Sequence, residues 1–186
     1  PTPQAVTALH EGPSTTHFSV VDAAGNAVSL TTTINSLYGN AVTVRGAGFL
    51  LNDEMDDFTT VPDGANLWGS VDGRANVIAP GKRMLSSMAP TIALDPRGKL
   101  YLVVGSPGGT TIITTVYHIL SNVIDHGMTL AEAAAAPRMF HQARPDSIQF
   151  ERDSGRVGVP EATVAELMRL GHGIRFRDYM GDVEAI

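Results

Sequence analysis

The feature that most constrains the fold is a strand, a glycine-rich loop and a helix in direct succession. Residues 100–104 form an apolar run typical of a buried strand, and Gly105-Ser106-Pro107-Gly108-Gly109 follows it. Apolar residues then recur at helical spacing from Ile112 to Ile124, and Gly127 is a natural helix stop. The sequence therefore predicts a sheet with a helix packed on it.

The remaining elements are segregated by type more than they alternate, which favours an α+β fold with mainly antiparallel sheets covered by helices. Two hairpins are predicted around the turns Asp22-Ala23-Ala24-Gly25-Asn26 and Asp95-Pro96-Arg97-Gly98. A capping box at Thr129 predicts a short helix that closes before Pro137. Further predictions are short strands over 46–51, 148–151 and 173–177, a helix over 160–170 and a long loop over 59–81.

Composition excludes several classes of function. The 186 residues are 43% hydrophobic and 17% charged, which supports a folded core. A net charge of −6 with scattered basic residues argues against nucleic acid as the main partner. The chain has no cysteine for disulfides or thiolate chemistry, no apolar run that approaches about 18 residues, and no histidine pairing typical of a metal site.

The first hairpin makes a specific prediction about two threonines. A three-residue loop Ala23-Ala24-Gly25, with Gly25 at positive φ, places Asp22 opposite Asn26. Counting back along both strands, the second of which is predicted over 27–35, places Thr15 opposite Thr33. An ordinary hairpin of β-forming residues explains the same pattern, and from these residues alone it is the favoured interpretation.

The glycine loop has a chemical and a structural interpretation. Glycines let backbone amides approach a ligand closely, and the start of a helix adds unpaired N–H groups. Such a loop can hold a phosphate or the oxyanion formed during acyl transfer. Thr110-Thr111 stand where a phosphate-binding loop needs lysine, which disfavours phosphate. The alternative is a turn that merely requires flexible residues.

Two polar segments also carry two interpretations each. The acidic run Asn52-Asp53-Glu54-Met55-Asp56-Asp57 is either a solvated loop or a receptor in which Glu54 and Asp57 accept from one ammonium group. Ser86-Ser87 either form a turn or donate to a carboxylate. Together with the hydroxyls and the glycine loop, these segments describe a pocket for an α-amino acid that carries an acyl carbon further along.

A threonine hydroxyl needs a neighbouring base before it becomes a nucleophile. One solution makes the threonine the first residue of a chain, so that its own α-amine serves as the base. Thr15 follows Ser14 in this chain. The acyl-transfer hypothesis therefore requires cleavage of the bond between Ser14 and Thr15.

From Thr15 to Ile186 the chain resembles the small subunit of the γ-glutamyltranspeptidases, which are N-terminal-nucleophile hydrolases. The resemblance rests on four motifs in order. They are Thr15-Thr16-His17-Phe18-Ser19-Val20-Val21-Asp22, Leu51-Asn52-Asp53-Glu54-Met55-Asp56-Asp57-Phe58, Leu85-Ser86-Ser87-Met88-Ala89-Pro90-Thr91 and Gly105-Ser106-Pro107-Gly108-Gly109. It implies a four-layer αββα sandwich that a large subunit completes.

The resemblance also implies a role for each matching residue. Thr15 would be the nucleophile for self-cleavage and for catalysis, supported by the hydroxyl of Thr33. The amides of Gly108 and Gly109 would form the oxyanion hole. Trp68 would be a possible lid, because it stands where relatives with a lid loop often carry tyrosine. The implied substrate ligands are Asn35, Glu54 and Asp57 for the α-amino group and Ser86 and Ser87 for the α-carboxylate. The implied reaction requires no metal and no organic cofactor.

The implied protein is larger than this chain. Residues 1–14 would end the large-subunit segment, and residues 15–186 would be a small subunit that lacks its last strands. The expected partners are the large subunit, which supplies an arginine to the α-carboxylate, and γ-glutamyl compounds such as glutathione. The expected location is periplasmic or secreted. The alternatives are a glutaryl or cephalosporin-type acylase and a non-catalytic γ-glutamyl-binding homologue that is never processed.

Overall fold

A computed structural model describes residues 15–71, 73–153 and 156–186, and for residues 153, 156 and 157 it describes the backbone alone. Residues 1–14, which are predicted to end the large-subunit segment, and the bond between Ser14 and Thr15 lie outside the described residues. None of the described helices is long and apolar enough to cross a membrane.

The described strands form three sheets. The strands are β1 (Thr16–Val21), β2 (Ala27–Thr32), β3 (Thr91–Leu94), β4 (Leu100–Gly105), β5 (Met139–Phe140), β6 (Ser147–Asp153), β7 (Arg156–Val157), β8 (Gly173–Arg177) and β9 (Glu184–Ala185). The hairpin of β1 and β2 is a two-stranded sheet, β3, β4 and β9 form a second sheet, and β5 to β8 form a third around β6. Every pairing of these strands is antiparallel except that of β6 with β8, which is parallel.

Three α-helices accompany the sheets in the described chain. They are α1 (Ile112–Ile124), α2 (Leu130–Ala135) and α3 (Glu161–Arg169). Single turns of 3-10 helix lie at Glu54–Asp57, Gly73–Asn76 and Gly109–Thr111. The mixture of helices and mainly antiparallel strands confirms the predicted α+β class.

The main core lies between β4 and α1. Leu102 and Val104 of β4 pack with Ile112, Val116 and Ile119 of α1, and all five are buried. The predicted succession of strand, glycine loop and helix therefore builds the centre of the domain. It places the glycine loop at one end of that centre.

The first hairpin packs on β4 and β9 through its polar face. Ser29 Oγ donates to the carbonyl of Val104 at 3.2 Å, and Ser19 Oγ donates to the carbonyl of Glu184 at 3.3 Å. His17 is buried and bonds to Thr31 Oγ1 at 2.7 Å, and a Cβ at Gly105 would lie 2.2 Å from its ring. Glycine at the end of β4 thus lets the hairpin approach the central sheet.

Some predicted elements differ from the structure. The predicted strand over 46–51 is wrong, because Gly46 and Gly48 take positive φ and form a turn within one isolated bridge between Thr43 and Leu50. The second strand ends at Thr32 instead of residue 35. The short strands β5, β7 and β9 were not predicted. Pro160 caps α3 rather than occupying its first turn.

Candidate active site

The hairpin brings the hydroxyls of Thr15 and Thr33 together. The loop is Ala23-Ala24-Gly25 with Gly25 at φ 84°, and the register pairs Thr16 with Thr32. Thr15 Oγ1 donates to Thr33 Oγ1 at 3.1 Å, as the count along the strands predicted. Thr33 Oγ1 also accepts from the backbone N–H of Asn35 at 2.9 Å. The second contact turns the chain out of the strand just after Thr33.

Asn35, three residues beyond the end of β2, has a left-handed backbone conformation and a buried side chain. Its φ is 72°, which asparagine tolerates better than most residues, and only 3% of it is exposed. Its Nδ2 donates to the carbonyl of Asp53 at 3.3 Å and to Asp57 Oδ1 at 3.1 Å. Asn35 therefore joins the end of the hairpin to the acidic turn.

The acidic turn is a folded element with its last carboxylate buried. Asp57 is 9% exposed at the end of the 3-10 turn Glu54–Asp57. The side-chain amides of Asn66 and Asn76 both donate to its backbone carbonyl, at 3.2 and 2.7 Å. The solvated-loop interpretation is thus wrong for Asp57, which two buried asparagines hold in place.

The carboxyls of Glu54 and Asp57 share a hydrogen bond, and their pKa values are both raised. Burial is the largest cause for Glu54, the hydrogen bond and charge of Asp57 add to it, and the pKa of Glu54 reaches about 7. Burial also raises the pKa of Asp57, against the hydrogen bonds it receives from Glu54, Trp68 and Asn35. A cation placed between the two carboxyls would favour their ionised forms.

Trp68 contacts both the acidic turn and the glycine loop. Its indole Nε1–H donates to Asn35 Oδ1 and to Asp57 Oδ1, both at 2.9 Å. Its ring lies on the glycine loop, because a Cβ at Gly109 would be 3.0 Å from Trp68 Cε3. Trp68 therefore bridges the two acceptors and the loop.

The glycine loop has a fixed peptide orientation. Gly108 and Gly109 have φ values of 141° and 59°, and a Cβ at Gly108 would lie 2.7 Å from Thr111 Oγ1. The hydroxyl and the N–H of Thr111 both donate to the carbonyl of Gly108, at 2.8 and 3.2 Å. Since the N–H of a trans peptide points opposite its carbonyl, Thr111 directs the N–H of Gly109 away from itself.

The two serines differ in their contacts. Ser87 Oγ donates to the carbonyl of Gly109 at 2.8 Å, which ties this segment to the glycine loop. Ser86 is exposed, and its Oγ accepts from the N–H of Met88 at 3.2 Å. Both hydroxyls border the same cavity.

A single cavity collects nine of the ten residues that the sequence singled out. Its free volume of about 20 Å³ is little more than the 10–15 Å³ or so that one water needs. The exception is Gly108, which adjoins the lining residue Gly109 in the chain. The lining consists of Thr15, Thr33, Asn35, Glu54, Asp57, Trp68, Ser86, Ser87, Met88, Gly109 and Ile112.

Three residues that hold the site in place without lining its cavity were not predicted from the sequence. Asn66, Asn76 and Thr111 are buried and act through backbone carbonyls. An asparagine inside a long glycine- and proline-rich loop gives no local signal of such a contact. In the described part of the chain, no group of three or more His, Asp or Glu side chains is arranged to hold a metal ion.

Comparison with known proteins places this geometry in a family. The family model described as Gamma-glutamyltranspeptidase matches residues 2–186. The glutathione hydrolase proenzyme of Pseudomonas aeruginosa is 48% identical over 174 residues, which cover 92% of this chain and 30% of that protein. The chain thus spans about a third of the length of that relative.

Solved structures agree with the sequence match. A variant of the γ-glutamyltranspeptidase of Helicobacter pylori superposes with a TM-score of 0.84 at 51% identity, over 92% of this chain and 89% of that one. The cephalosporin acylase of Bacillus halodurans gives a TM-score of 0.72 at 23% identity, over 90% of this chain and 29% of that one. The second likeness extends to the fold alone.

Proposed function

The chain belongs to the γ-glutamyltranspeptidase family, and on that premise we propose that the protein it comes from transfers and hydrolyses γ-glutamyl groups. Its substrates are γ-glutamyl compounds such as glutathione. The enzyme matures by cutting its own chain between Ser14 and Thr15. The relative from Pseudomonas aeruginosa, of which this chain matches 30%, is likewise a glutathione hydrolase proenzyme.

The observation that carries the proposal is that a pair of hydroxyls and a pair of carboxyls line the same cavity. Thr15 and Thr33 line one part of it, and Glu54 and Asp57 line another. A γ-glutamyl group has an electrophilic carbonyl at one end and an α-ammonium at the other. The two pairs match the two ends of that group.

In the proposed reaction Thr15 acts first as nucleophile. Cleavage frees its α-amine, which takes the hydroxyl proton as the hydroxyl attacks the γ-carbonyl. The N–H groups of Gly108 and Gly109 stabilise the oxyanion, and the leaving amine receives a proton as its bond to carbon breaks. Water or an amino acid then attacks the acyl-enzyme and regenerates the Thr15 hydroxyl. Thr33 holds the hydroxyl in place.

The far end of the substrate determines specificity. Asn35, Glu54 and Asp57 accept from the α-ammonium, and the hydroxyls of Ser86 and Ser87 donate to the α-carboxylate. A glutaryl group has no amine, so it would leave the buried Asp57 without a cationic partner. For that reason we favour a γ-glutamyl substrate over a glutaryl or cephalosporin-type substrate.

We also place this chain within a larger assembly. Residues 1–14 end the large-subunit segment, residues 15–186 belong to the small subunit, and both subunits build a four-layer αββα sandwich in a periplasmic or secreted enzyme. The outer face of the hairpin supports a missing layer, since its apolar side chains are 38–49% exposed and an apolar patch of this kind marks an interaction surface. These side chains are Phe18, Val20, Val28 and Leu30.

Maturation of the full precursor tests the proposal. Intact-mass measurement of the purified protein is expected to give a small subunit that begins at Thr15. Thr15→Ala removes the nucleophile, so this variant is expected to stay uncut and inactive. Thr16→Ala changes the neighbouring exposed threonine and is expected to mature and turn over normally. Cleavage at another bond, or full activity of an uncut chain, would contradict the proposal.

Substrate choice is tested on the matured enzyme. Hydrolysis of a γ-glutamyl anilide is expected to exceed that of the matching glutaryl anilide, because the second lacks the ammonium. Faster glutaryl hydrolysis would instead support the acylase alternative. Binding of glutamate without cleavage or turnover would identify a non-catalytic binding protein.

A further inference from the structure

The two N–H groups assigned to the oxyanion hole belong to successive peptide units, 107–108 and 108–109. Among the residues that the structure describes, neither N–H has a hydrogen-bond partner in the protein. Such donors stabilise an oxyanion only when they point at its position before the reaction begins. Thr111 holds the carbonyl of Gly108 and so directs the N–H of Gly109. The direction of the Gly108 N–H requires a separate contact.

Ser106 provides that contact on the preceding peptide unit. Its side chain is fully buried, and its Oγ donates to the carbonyl of Pro107 at 2.6 Å. In a trans peptide the N–H points opposite the carbonyl, so the N–H of Gly108 is directed away from the Ser106 hydroxyl. Each of the two peptide units is therefore oriented by one hydroxyl, from Ser106 or from Thr111.

The hydroxyl of Ser106 is itself held by a segment from the far end of the chain. Its oxygen accepts from the backbone N–H of Asp182 at 3.0 Å. Because the hydroxyl accepts one bond and donates another, its rotation about the Cβ–Oγ bond is fixed. Asp182 lies in residues 180–182, which we call the backing segment. It leads into β9, where Glu184 pairs with Gly105 at the start of the glycine loop.

The backing segment is anchored on two other elements. The carbonyl of Met180 accepts from Thr115 Oγ1 at 2.8 Å and from Thr111 Oγ1 at 3.5 Å, and both threonines lie on the side of α1 that faces it. The N–H of Met180 donates to Glu151 Oε1 of β6 at 2.9 Å. Met180 is only 1% exposed. The support of Ser106 thus extends from the glycine loop to α1 and β6.

Glycine in the middle of the backing segment allows this close approach. Gly181 has a φ of 114°, and a Cβ on it would lie 2.7 Å from Ser106 Oγ. On the other side, a Cβ on Gly108 would lie 3.4 Å from Gly181 Cα. The backbone of the backing segment therefore lies directly against the peptide unit that Ser106 orients.

We propose that Ser106 is a positioning residue that sets the direction of the Gly108 N–H, with the backing segment as its support. Ser106 is fully buried and does not line the cavity, so it acts through this peptide unit and not on the substrate. The kinetic consequence rests on the proposed function. The structural consequence, the orientation of the Pro107 carbonyl, is measured without turnover.

The kinetic consequence appears in the transition state more than in the bound substrate. Negative charge develops on the carbonyl oxygen only as Thr15 attacks, so a misdirected donor weakens chiefly that state. Ser106→Ala leaves the N–H of Gly108 in place but frees its peptide unit. Loss of one orienting hydrogen bond is expected to lower the acylation rate at saturating substrate about 3- to 10-fold. Loss of a whole oxyanion donor costs more, about 10²- to 10³-fold.

The test uses the matured full-length enzyme and two variants of Ser106. Ser106→Ala removes the hydroxyl, and Ser106→Cys offers a thiol, which is a weaker donor of similar size. The acylation rate is expected to fall in the order wild type, Ser106→Cys, Ser106→Ala, and the thiol variant provides the test if the alanine variant does not fold. Ser29→Ala is the matched control, because Ser29 Oγ also donates to a backbone carbonyl, that of Val104 in β4 at 3.2 Å.

A transition-state analogue separates positioning from a general loss of structure. A boronic-acid analogue of glutamate binds the Thr15 hydroxyl oxygen through boron, and the resulting tetrahedral boronate places an oxygen where the oxyanion forms. Ser106→Ala is expected to weaken this inhibitor by the same factor as the acylation rate. The Kd of L-glutamate is expected to change less than about twofold, because the ground state depends less on the oxyanion hole.

Crystal structures of the variants give the structural readout, whether the chain is cut or uncut. In Ser106→Ala and Ser106→Cys the Pro107 carbonyl is expected to rotate or to occupy more than one orientation. The carbonyl of Gly108 is an internal control, because Thr111 still holds it.

Several results would overturn the proposal. They are an unchanged Pro107 carbonyl in both variants, an unchanged acylation rate in an active enzyme, equal weakening of the boronate and of L-glutamate, and an equal loss in Ser29→Ala. A rotated Pro107 carbonyl in a protein whose wild type has no γ-glutamyl activity would keep the positioning role of Ser106 and refute the proposed function.

Discussion

The two ends of the cavity are built in different ways. At the hydroxyl end, Thr15 and Thr33 meet because two strands pair in one register. At the acidic end, Asp57 ends a single turn of 3-10 helix and is held by side-chain amides from other segments. Regular pairing positions the two hydroxyls, whereas buried hydrogen bonds position the carboxyl of Asp57.

The two ends also differ in how they respond to protons. At the acidic end the pKa of Glu54 is raised to about 7. In the hairpin, burial lowers the pKa of His17, so this ring stays neutral where the acidic end titrates. Substitutions of Glu54 and Asp57 are therefore expected to act through charge, and substitution of Thr33, whose hydroxyl is uncharged, is expected to act through geometry.

The largest effect is expected from removal of the buried charge. Asp57→Asn keeps the shape and an acceptor for Trp68 but loses the charge-assisted bond to the substrate ammonium. We expect kcat/KM for a γ-glutamyl anilide to fall about 10- to 100-fold. The glutaryl anilide serves as control, since it has no ammonium. An equal loss for both substrates would show that Asp57 acts on the fold and not on the ammonium.

A smaller effect is expected at the hydroxyl end. Thr33→Val keeps the β-branched shape and removes the contact of 3.1 Å with Thr15. Loss of one hydrogen bond predicts a fall in kcat of about 2- to 10-fold, measured at saturating substrate. Thr31→Val is the matched control on the same face of β2, because Thr31 bonds to His17. If both variants lose the same activity, the Thr33 hydroxyl has no special role.

The smallest effect is expected from pH at the acidic end. Because the pKa of Glu54 is about 7, its carboxyl is neutral below that pH and charged above it. An ammonium ligand prefers the charged form, so its affinity rises with pH. Titration of a single group can change the affinity for an ammonium ligand by at most about tenfold per pH unit. Because Glu54 is partly exposed, solvent screens its charge, and we expect this affinity to rise only about threefold between pH 6 and pH 8.

This pH dependence is measured by equilibrium binding, because the rate of catalysis would also depend on the protonation of the Thr15 amine. The Kd of L-glutamate is expected to decrease as pH rises from 6 to 8, and Glu54→Gln is expected to flatten this dependence. Glutarate, which has no ammonium, provides the control. A pH dependence that persists unchanged in the variant would assign the titration to another group.

The success of prediction from sequence varied with the range of the interactions. The loop of the first hairpin and the pairing of Thr16 with Thr32 follow from local turn chemistry around Gly25. The prediction for residues 46–51 failed because the glycines there favour a turn over the strand that the apolar residues suggest. The short strand β9 was missed because two residues carry no periodicity.

The candidate site shows the same difference between what local sequence patterns predict and what they do not. All nine lining residues that the sequence singled out lie in one cavity, although their roles stay predictions. The resemblance implied a possible lid at Trp68, but its hydrogen bonds to Asn35 and Asp57, the contact of Gln142 with Gly69 and the direction that Thr111 imposes on the glycine loop were not predicted. The contacts of Trp68 and Gln142 join segments that no sequence pattern connects.

By itself the sequence determined the elements whose causes are local: the hairpin register, the capping box of α2, the glycine loop before α1 and the motifs that identify the family. Only the tertiary structure decided that the polar face of the hairpin packs inward on β4 and β9, that Asp57 is buried, and that Trp68 bonds to Asn35 and Asp57. Periodicity and turn chemistry act over a few residues, whereas burial and long-range hydrogen bonds exist only once distant segments meet.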